Sequence, residues 1–273
     1  METTTLETGR GDRVTYDAHG PVGEGRAVVF VAGAGPYRAM DPATTACAEA
    51  LAARGVPAVV HDRLGRADSP AEGPIDLDRE AGPGGAIAAL VAAVGGDAVL
   101  CGHSSGAAIS LYAATEGGVP VSGLALFEAP LDPAVTGVGP WTVEVETFLD
   151  AGEHERAVDH YLRDMPPELV GWLRESPVWP AWVSHAPALR VDAQAMRWAF
   201  SAPYDVQFGA RLAELGVPVR AAHGTDTFPE MPVAAEAIAA AVPGAVAVEV
   251  AGSNHTWDPD AMADLLAELV REG

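Results

Sequence analysis

The residues of this sequence best suited to chemistry are Gly102-His103-Ser104-Ser105-Gly106, which follow the apolar run Ala98 to Cys101 without a break. A helical pattern through Ala107, Ile109, Leu111 and Tyr112 comes directly after them. A G-x-S-x-G between a strand and a helix is a nucleophile elbow, in which a sharp turn lifts one hydroxyl above the sheet to attack an acyl carbon. Gly102 and Gly106 remove side chains that would collide with the neighbouring strand and helix. The start of the helix aims the Ser105 N–H at the place where an oxyanion would develop. A second glycine-rich stretch, Gly33-Ala34-Gly35-Pro36-Tyr37-Arg38, invites a dinucleotide-binding reading with Asp62 as the ribose acid. It departs from that fingerprint in detail. Arg38 stands where the third glycine belongs, the helix begins only near Asp41, and Asp62 follows Gly33 by 29 residues against about 20.

An elbow needs a strand beneath it, and short aliphatic runs recur at Ala27 to Val31, Ala58 to Val60, Ala98 to Cys101, Leu124 to Phe127, Val219 to Ala222 and Ala245 to Val250. They are continuous rather than alternating, as in strands buried on both faces of a parallel sheet. Helical patterns lie between several of them. Ile87, Leu90, Val91 and Val94 recur at helical spacing, as do Met262, Leu265, Leu266 and Leu269, the latter behind an N-cap at Asp258 and Pro259 at the first helical position. The expected fold class is α/β, a mostly parallel central sheet with helices on both faces.

The alternation stops between Ala129 and Val206, where helical stretches (Val143 to Phe148, Ala157 to Leu162, Leu169 to Leu173) appear without strands. A helical cap over 131–205, inserted into a core of 1–130 and 206–273, is the expected organisation. Five of the six tryptophans (Trp141, Trp172, Trp179, Trp182 and Trp198) fall inside it. Such indoles either pack the insertion onto the sheet or form the wall of an apolar ligand site, and Trp179 and Trp182 are the candidates for substrate contact.

Composition narrows the function classes. The chain carries 38 acidic against 16 basic residues, a net charge of −22, and every basic residue is arginine. That excess argues against nucleic acid or an anionic membrane as partner, since both are bound through basic patches. Cys47 and Cys101 are too few for a disulfide framework or a four-ligand zinc site, so no metal is expected and a reducing cytoplasm is the expected compartment. Met1-Glu2-Thr3-Thr4-Thr5 lacks the basic start and apolar stretch of a signal peptide. The longest apolar run, Ala86 to Val94, falls well short of the ~20 residues of a membrane span.

Over nearly its whole length the sequence resembles the α/β-hydrolase family. Val28 to Val31 leading into Ala32-Gly33-Ala34-Gly35 is similar to that family's oxyanion loop, with Ala32-Gly33 where His-Gly is usual. Asp62-Arg63-Leu64-Gly65-Arg66-Ala67-Asp68-Ser69 is similar to its D-x-R-G-x-G-x-S loop, with Ala67 replacing the second glycine, and Ala251-Gly252-Ser253-Asn254-His255 matches its G-x-x-H ending. The resemblance implies that the Ala34 and Ser105 N–H groups form an oxyanion hole and that His255 is the base that takes the Ser104 proton.

The acid is open between two positions. Where the family has Gly-x-x-Asp this chain reads Gly224-Thr225-Asp226-Thr227, so Thr227 occupies the expected place and Asp226 comes one residue early. The family's other acid position, after the preceding strand, holds Glu128, 24 residues beyond Ser104. His103, His185 and His223 are weaker candidates for the base. The expected function is a cofactor-free serine hydrolase acting on an ester, lactone or thioester of a small, largely apolar substrate. A serine nucleophile speaks against dehalogenase or epoxide hydrolase chemistry, which needs a carboxylate. Haloperoxidase-like, lyase and C–C hydrolase members share the same triad, and a non-catalytic small-molecule-binding protein is the alternative from another class.

Overall fold

The computed structural model describes all 273 residues apart from Glu24, residues 202–212 and Leu215. Nine strands form one sheet in the order β1-β2-β4-β3-β5-β6-β7-β8-β9. These are β1 (Glu2–Glu7), β2 (Arg13–His19), β3 (Ala27–Val31), β4 (Ala58–His61), β5 (Ala98–His103), β6 (Val121–Phe127), β7 (Val219–Asp226), β8 (Val246–Ser253) and β9 (Thr256–Trp257). From β4 through β3 and β5 to β8 every pairing is parallel, as the continuous apolar runs predict.

Helices α1 (Pro42–Ala53), α2 (Leu77–Ala81), α3 (Ala86–Ala93) and α4 (Ser105–Thr115) follow the first strands. The insertion contributes α5 (Val138–Asp150), α6 (His154–Tyr161), α7 (Pro167–Glu175), α8 (Trp179–Ser184) and α9 (Leu189–Ala199). The chain ends with α10 (Glu230–Ala241) and α11 (Pro259–Glu272). The Asp258 carboxylate accepts from the Ala261 N–H and Pro259 opens α11, so that helix starts where its sequence says.

Successive residues of a strand point to opposite faces, and the core is split accordingly. Val29, Val31, Leu100, Leu124 and Leu126 pack with Ile87, Leu90, Ile109 and Leu111 of α3 and α4 on one face. Val28, Phe30, Val99, Cys101 and Phe127 pack with Cys47 and Leu51 of α1 and Met262 and Leu266 of α11 on the other. A third cluster, built on Val145, Leu149, Val158, Leu162 and Leu189, belongs to the inserted helices. Helix α9 is shared, since its Val191, Ala195 and Met196 join the cluster under α4. The expected cap boundary at 205/206 lies outside the described residues.

Five elements differ from the sequence expectation. The antiparallel β1 and β2, and the two-residue β9, were not expected as strands. Glu2–Glu7 alternates exposed and half-buried residues without an aliphatic run, and β9 is too short for any periodicity. Strand β8, expected to be buried on both faces, has only Val250 fully buried. Strand β5 runs two residues further than its aliphatic stretch, through Gly102 and His103.

The elbow depends on close backbone approach. A Cβ at Gly106 would lie 2.1 Å from the Val31 carbonyl oxygen, and one at Gly102 2.5 Å from Ala107 Cα. Gly106→Ala should therefore cost about 3 kcal/mol or more, because the obstacle is backbone and cannot turn aside. Gly171, exposed in α7, has nothing within 4 Å of its added Cβ, so Gly171→Ala should gain about 0.5–1 kcal/mol of helix propensity. Urea unfolding of the two variants measures both differences, and equal effects would contradict this account of the elbow.

Candidate active site

At the carboxyl edge of the sheet each strand hands its last hydrogen bond to the next. The Ser104 N–H donates to the Phe127 carbonyl at 2.9 Å, and the Glu128 N–H to the Ala222 carbonyl at 2.7 Å. Ser104 therefore sits at the tip of β5, Glu128 at the tip of β6, and β7 and β8 continue the series. Ser104 adopts φ 55° and ψ −129° before α4 begins, a backbone state that costs about 1–3 kcal/mol in a non-glycine residue.

Among the described residues, the non-glycine residues at positive φ are Ala67, Ser104, Glu128, Asn254 and His255. Three of these are the expected nucleophile, base and one of the two expected acids. Asn254 and His255, at φ 54° and 60°, form the two-residue turn between β8 and the antiparallel β9. Positive φ at both positions suits a type I′ hairpin, where asparagine is favoured first and glycine second. Histidine occupies the glycine's place at a conformational cost, and the turn projects its ring from the end of the sheet.

His255 Nδ1 donates a hydrogen bond to Glu128 Oε2. The second carboxylate oxygen, Oε1, accepts the Gly224 N–H at 2.9 Å. Glu128 is only 1% exposed. Burial alone would push its carboxyl up, but His255, the facing Thr227 hydroxyl and the Gly224 N–H together hold it below the ordinary value. Thr227 Oγ1 is itself buried without a well-directed hydrogen bond. Asp226, in contrast, is exposed at the end of β7, and its side chain makes no hydrogen bond or ion pair with the described residues. Of the two carboxylates left open by the sequence, the structure brings Glu128 to His255 and leaves Asp226 apart.

His103 has a part that sequence reading missed. Its Nε2–H donates to the His255 carbonyl at 2.9 Å, and its ring packs edge-on against Trp257, with centroids 5.2 Å apart. Burial, and then the neighbouring His255, push its pKa down to about 3, so it is neutral. His185 also differs from expectation: its Nε2 accepts the Ala67 N–H at 3.2 Å, tying the insertion to the loop after β4.

Ser104 Oγ makes no hydrogen bond with the described residues, so no bond joins it to His255 in this state, and such bonds often close only around substrate. The Ala34 and Ser105 N–H groups likewise have no acceptor among the described residues. Gly33 lies against the nucleophile, since a Cβ there would come 2.9 Å from Ser104 Cβ. The Trp182 indole rests on the same loop, 2.0 Å from where a Gly35 Cβ would be. Trp179 packs half-buried in the cluster of the inserted helices, with the Arg174 guanidinium 5.2 Å from its ring centre. Trp172 is 64% exposed. No group of three or more metal-ligating side chains converges among the described residues.

Beneath this loop is a cluster that the sequence did not announce. Arg63 and Arg66, each 1% exposed, pair with Asp192 of α9, at 2.7 and 3.1 Å. Arg63 also lies 3.7 Å from buried Glu80. The arginines were visible in the D-x-R-G loop. Asp192 left one trace, a carboxylate in line with the apolar Leu189, Ala193 and Met196 on the buried side of α9.

A family model described as the alpha/beta hydrolase family matches residues 28–269. An alpha/beta hydrolase from Sphaerobacter thermophilus is 29% identical, with a TM-score of 0.77 over 97% of this chain and 99% of its own. An esterase from a Rhodococcus species is 22% identical, with a TM-score of 0.60 over the full length of both chains. An enol-lactonase from Burkholderia xenovorans is 17% identical, with a TM-score of 0.63 over 98% of this chain and all of its own. No curated protein matches the chain significantly in sequence.

Two outcomes follow from the geometry. Glu128→Gln should cost roughly 10²- to 10⁴-fold in kcat with KM little changed, and Asp226→Asn less than about tenfold. Thr227→Asp in the Glu128→Gln background should recover part of the loss, since residue 227 already faces that carboxylate. The reverse order of losses, in steady-state ester hydrolysis, would move the acid to Asp226.

The second outcome concerns acid stability. The His103 pKa is depressed from 6.5 to about 3 in the folded chain. Between those values only the unfolded state takes the proton, so stability falls as the pH drops through that window, by at most about 1.4 kcal/mol per unit. Urea unfolding of His103→Gln should show a shallower acid slope than wild type, and identical slopes would contradict the neutral assignment.

Proposed function

The chain belongs to the alpha/beta hydrolase family, and on that premise we propose that it is a serine hydrolase cleaving an ester, lactone or thioester of a small, largely apolar substrate. The observation that carries this reading is the hydrogen bond from His255 Nδ1 to the buried Glu128 carboxylate, one strand away from the strained turn at Ser104. With Nδ1–H engaged, Nε2 is the ring nitrogen left to accept a proton.

In the proposed cycle Ser104 Oγ attacks the acyl carbon while its proton passes to His255 Nε2. The carbonyl oxygen becomes an oxyanion that accepts from the Ala34 and Ser105 N–H groups. Glu128 stabilises the imidazolium that forms. The leaving alcohol or thiol takes the proton from Nε2, and a water molecule then reverses the sequence on the acyl-enzyme, releasing the acid. Trp182, against Gly35, is the proposed apolar wall for the acyl group, and Trp179 would stand behind it. A small-molecule substrate fits the family.

A second reading, a non-catalytic small-molecule-binding protein, is favoured by the Ser104 hydroxyl standing without a bond to His255. Ester turnover separates the two. Ser104→Ala should retain less than about 1% of the wild-type rate on a short-chain p-nitrophenyl ester with the fold intact. Loss-free turnover in that variant, or none in the wild type, would remove the nucleophile assignment. Across a series of acyl lengths, Trp182→Ala should shift the preferred length while exposed Trp172→Ala does not. Unchanged selectivity in the first variant would make Trp182 a packing residue alone.

A further inference from the structure

We propose that Asp192, a residue of the inserted helices, is a positioning residue that sets the direction of both oxyanion donors, the Ser105 N–H through the Ser105 hydroxyl and the Ala34 N–H through Arg63 and Arg66. The inference rests on the serine hydrolase reading above and deepens it.

In a trans peptide the C=O of one residue and the N–H of the next lie in one plane and point in opposite directions. The Gly33 carbonyl therefore decides where the Ala34 N–H points. Two guanidiniums hold that carbonyl, Arg66 Nη1 at 2.7 Å and Arg63 Nη1 at 3.3 Å. The preceding carbonyl, Ala32, is tied to Arg63 at 3.1 Å, and the Pro36 carbonyl further along the loop to Arg66 at 2.9 Å. With the Gly33 carbonyl itself held and the Ala32 carbonyl before it tied, rotation of the Gly33–Ala34 plane would break these bonds, and the positive charge behind its oxygen polarises the N–H in front. This plane lies beside the nucleophile, as the 2.9 Å approach of a Gly33 Cβ to Ser104 Cβ shows.

What holds the two arginines is the Asp192 carboxylate. Its Oδ1 accepts from Arg63 Nη1 at 2.7 Å, and its Oδ2 from Arg66 Nη2 at 3.1 Å. Two buried like charges in contact would separate without a shared counter-ion. Burial and the charge of Arg63 pull the Arg66 pKa down to about 10, so both remain protonated at neutral pH. Oδ1 also accepts the Ser105 hydroxyl at 2.7 Å. Ser105 is the first residue of α4, so fixing its side chain fixes the first peptide of the helix, which carries the second donor. One side chain of the insertion, 0% exposed, thus reaches both halves of the oxyanion site.

The test compares wild type, Asp192→Asn and Ser105→Ala, each normalised to the fraction of molecules that a fluorophosphonate labels to completion. The expected result is a fall in kcat of roughly 10- to 100-fold with KM changed less than about threefold. The labelling rate should slow in parallel, because the phosphoryl oxygen enters the same two donors. A residue with only a structural role would lower the melting temperature and leave the per-site kcat and labelling rate unchanged, and that result overturns the proposal. If Asp192→Asn does not fold, Ser105→Ala decides alone, since it deletes one hydroxyl. Absence of labelling at Ser104 in the wild type would overturn the hydrolase reading and this inference with it. A labelled wild type with both variants at its rate would overturn this inference only.

Discussion

Two guanidiniums buried at the carboxyl edge of the sheet are the constraint around which the rest of the site is arranged. Burying an ion costs several kcal/mol unless its hydrogen bonds and counter-charge are complete. Arg63 and Arg66 obtain their counter-charge and most of their hydrogen bonds from four parts of the chain, with Arg63 Nε and Nη2 left without a hydrogen-bond partner among the described residues. The loop after β3 supplies the Ala32, Gly33 and Pro36 carbonyls, α9 supplies Asp192, and α2 supplies Glu80. The elbow joins through Ser105. Two cations face two carboxylates, so their charges are balanced only while the loop after β4, α9 and α2 are docked together. The insertion is accordingly held to the sheet by charge as well as by the apolar contacts of α9.

Strain at the edge of the sheet is the second theme. Ser104, Glu128, Asn254 and His255 all sit in the left-handed region, each at a cost of about 1–3 kcal/mol. The compensation is local. Ser104 and Glu128 are held by bonds to the adjoining strands, the His255 carbonyl by His103, and the Glu128 carboxylate by Gly224 and His255. The same contacts that offset the strain align the side chains, which is why the three proposed catalytic residues are three of the five non-glycine positive-φ positions among the described residues.

Much of this was legible in the sequence because it is written in short range. Aliphatic runs gave the parallel strands, and G-x-S-x-G after one of them located the elbow with its two obligatory glycines. The acid was undecided because sequence places Glu128 and Asp226 on adjoining strand ends and says nothing of which way each side chain turns. Thr227 in the usual acid position hinted at Glu128, and the structure puts that threonine against the Glu128 carboxylate. The hairpin that presents His255 stayed hidden because histidine stands where a turn signal would have glycine. Asp192 was hidden for a different reason. A carboxylate inside an apolar stripe is unreadable until its partners, more than a hundred residues away in Arg63 and Arg66, are in place.

The central claim is that Ser104 forms the covalent bond and that the donors held by the buried cluster receive the oxyanion. A crystal structure of the protein after reaction with a phosphonate ester tests it most directly. Phosphorus is expected on Ser104 Oγ, with the phosphoryl oxygen about 2.7–3.1 Å from both the Ala34 and Ser105 nitrogens and the Gly33 carbonyl still bonded to the arginines. An adduct on another residue, or a phosphoryl oxygen turned to solvent away from those two N–H groups, would contradict it.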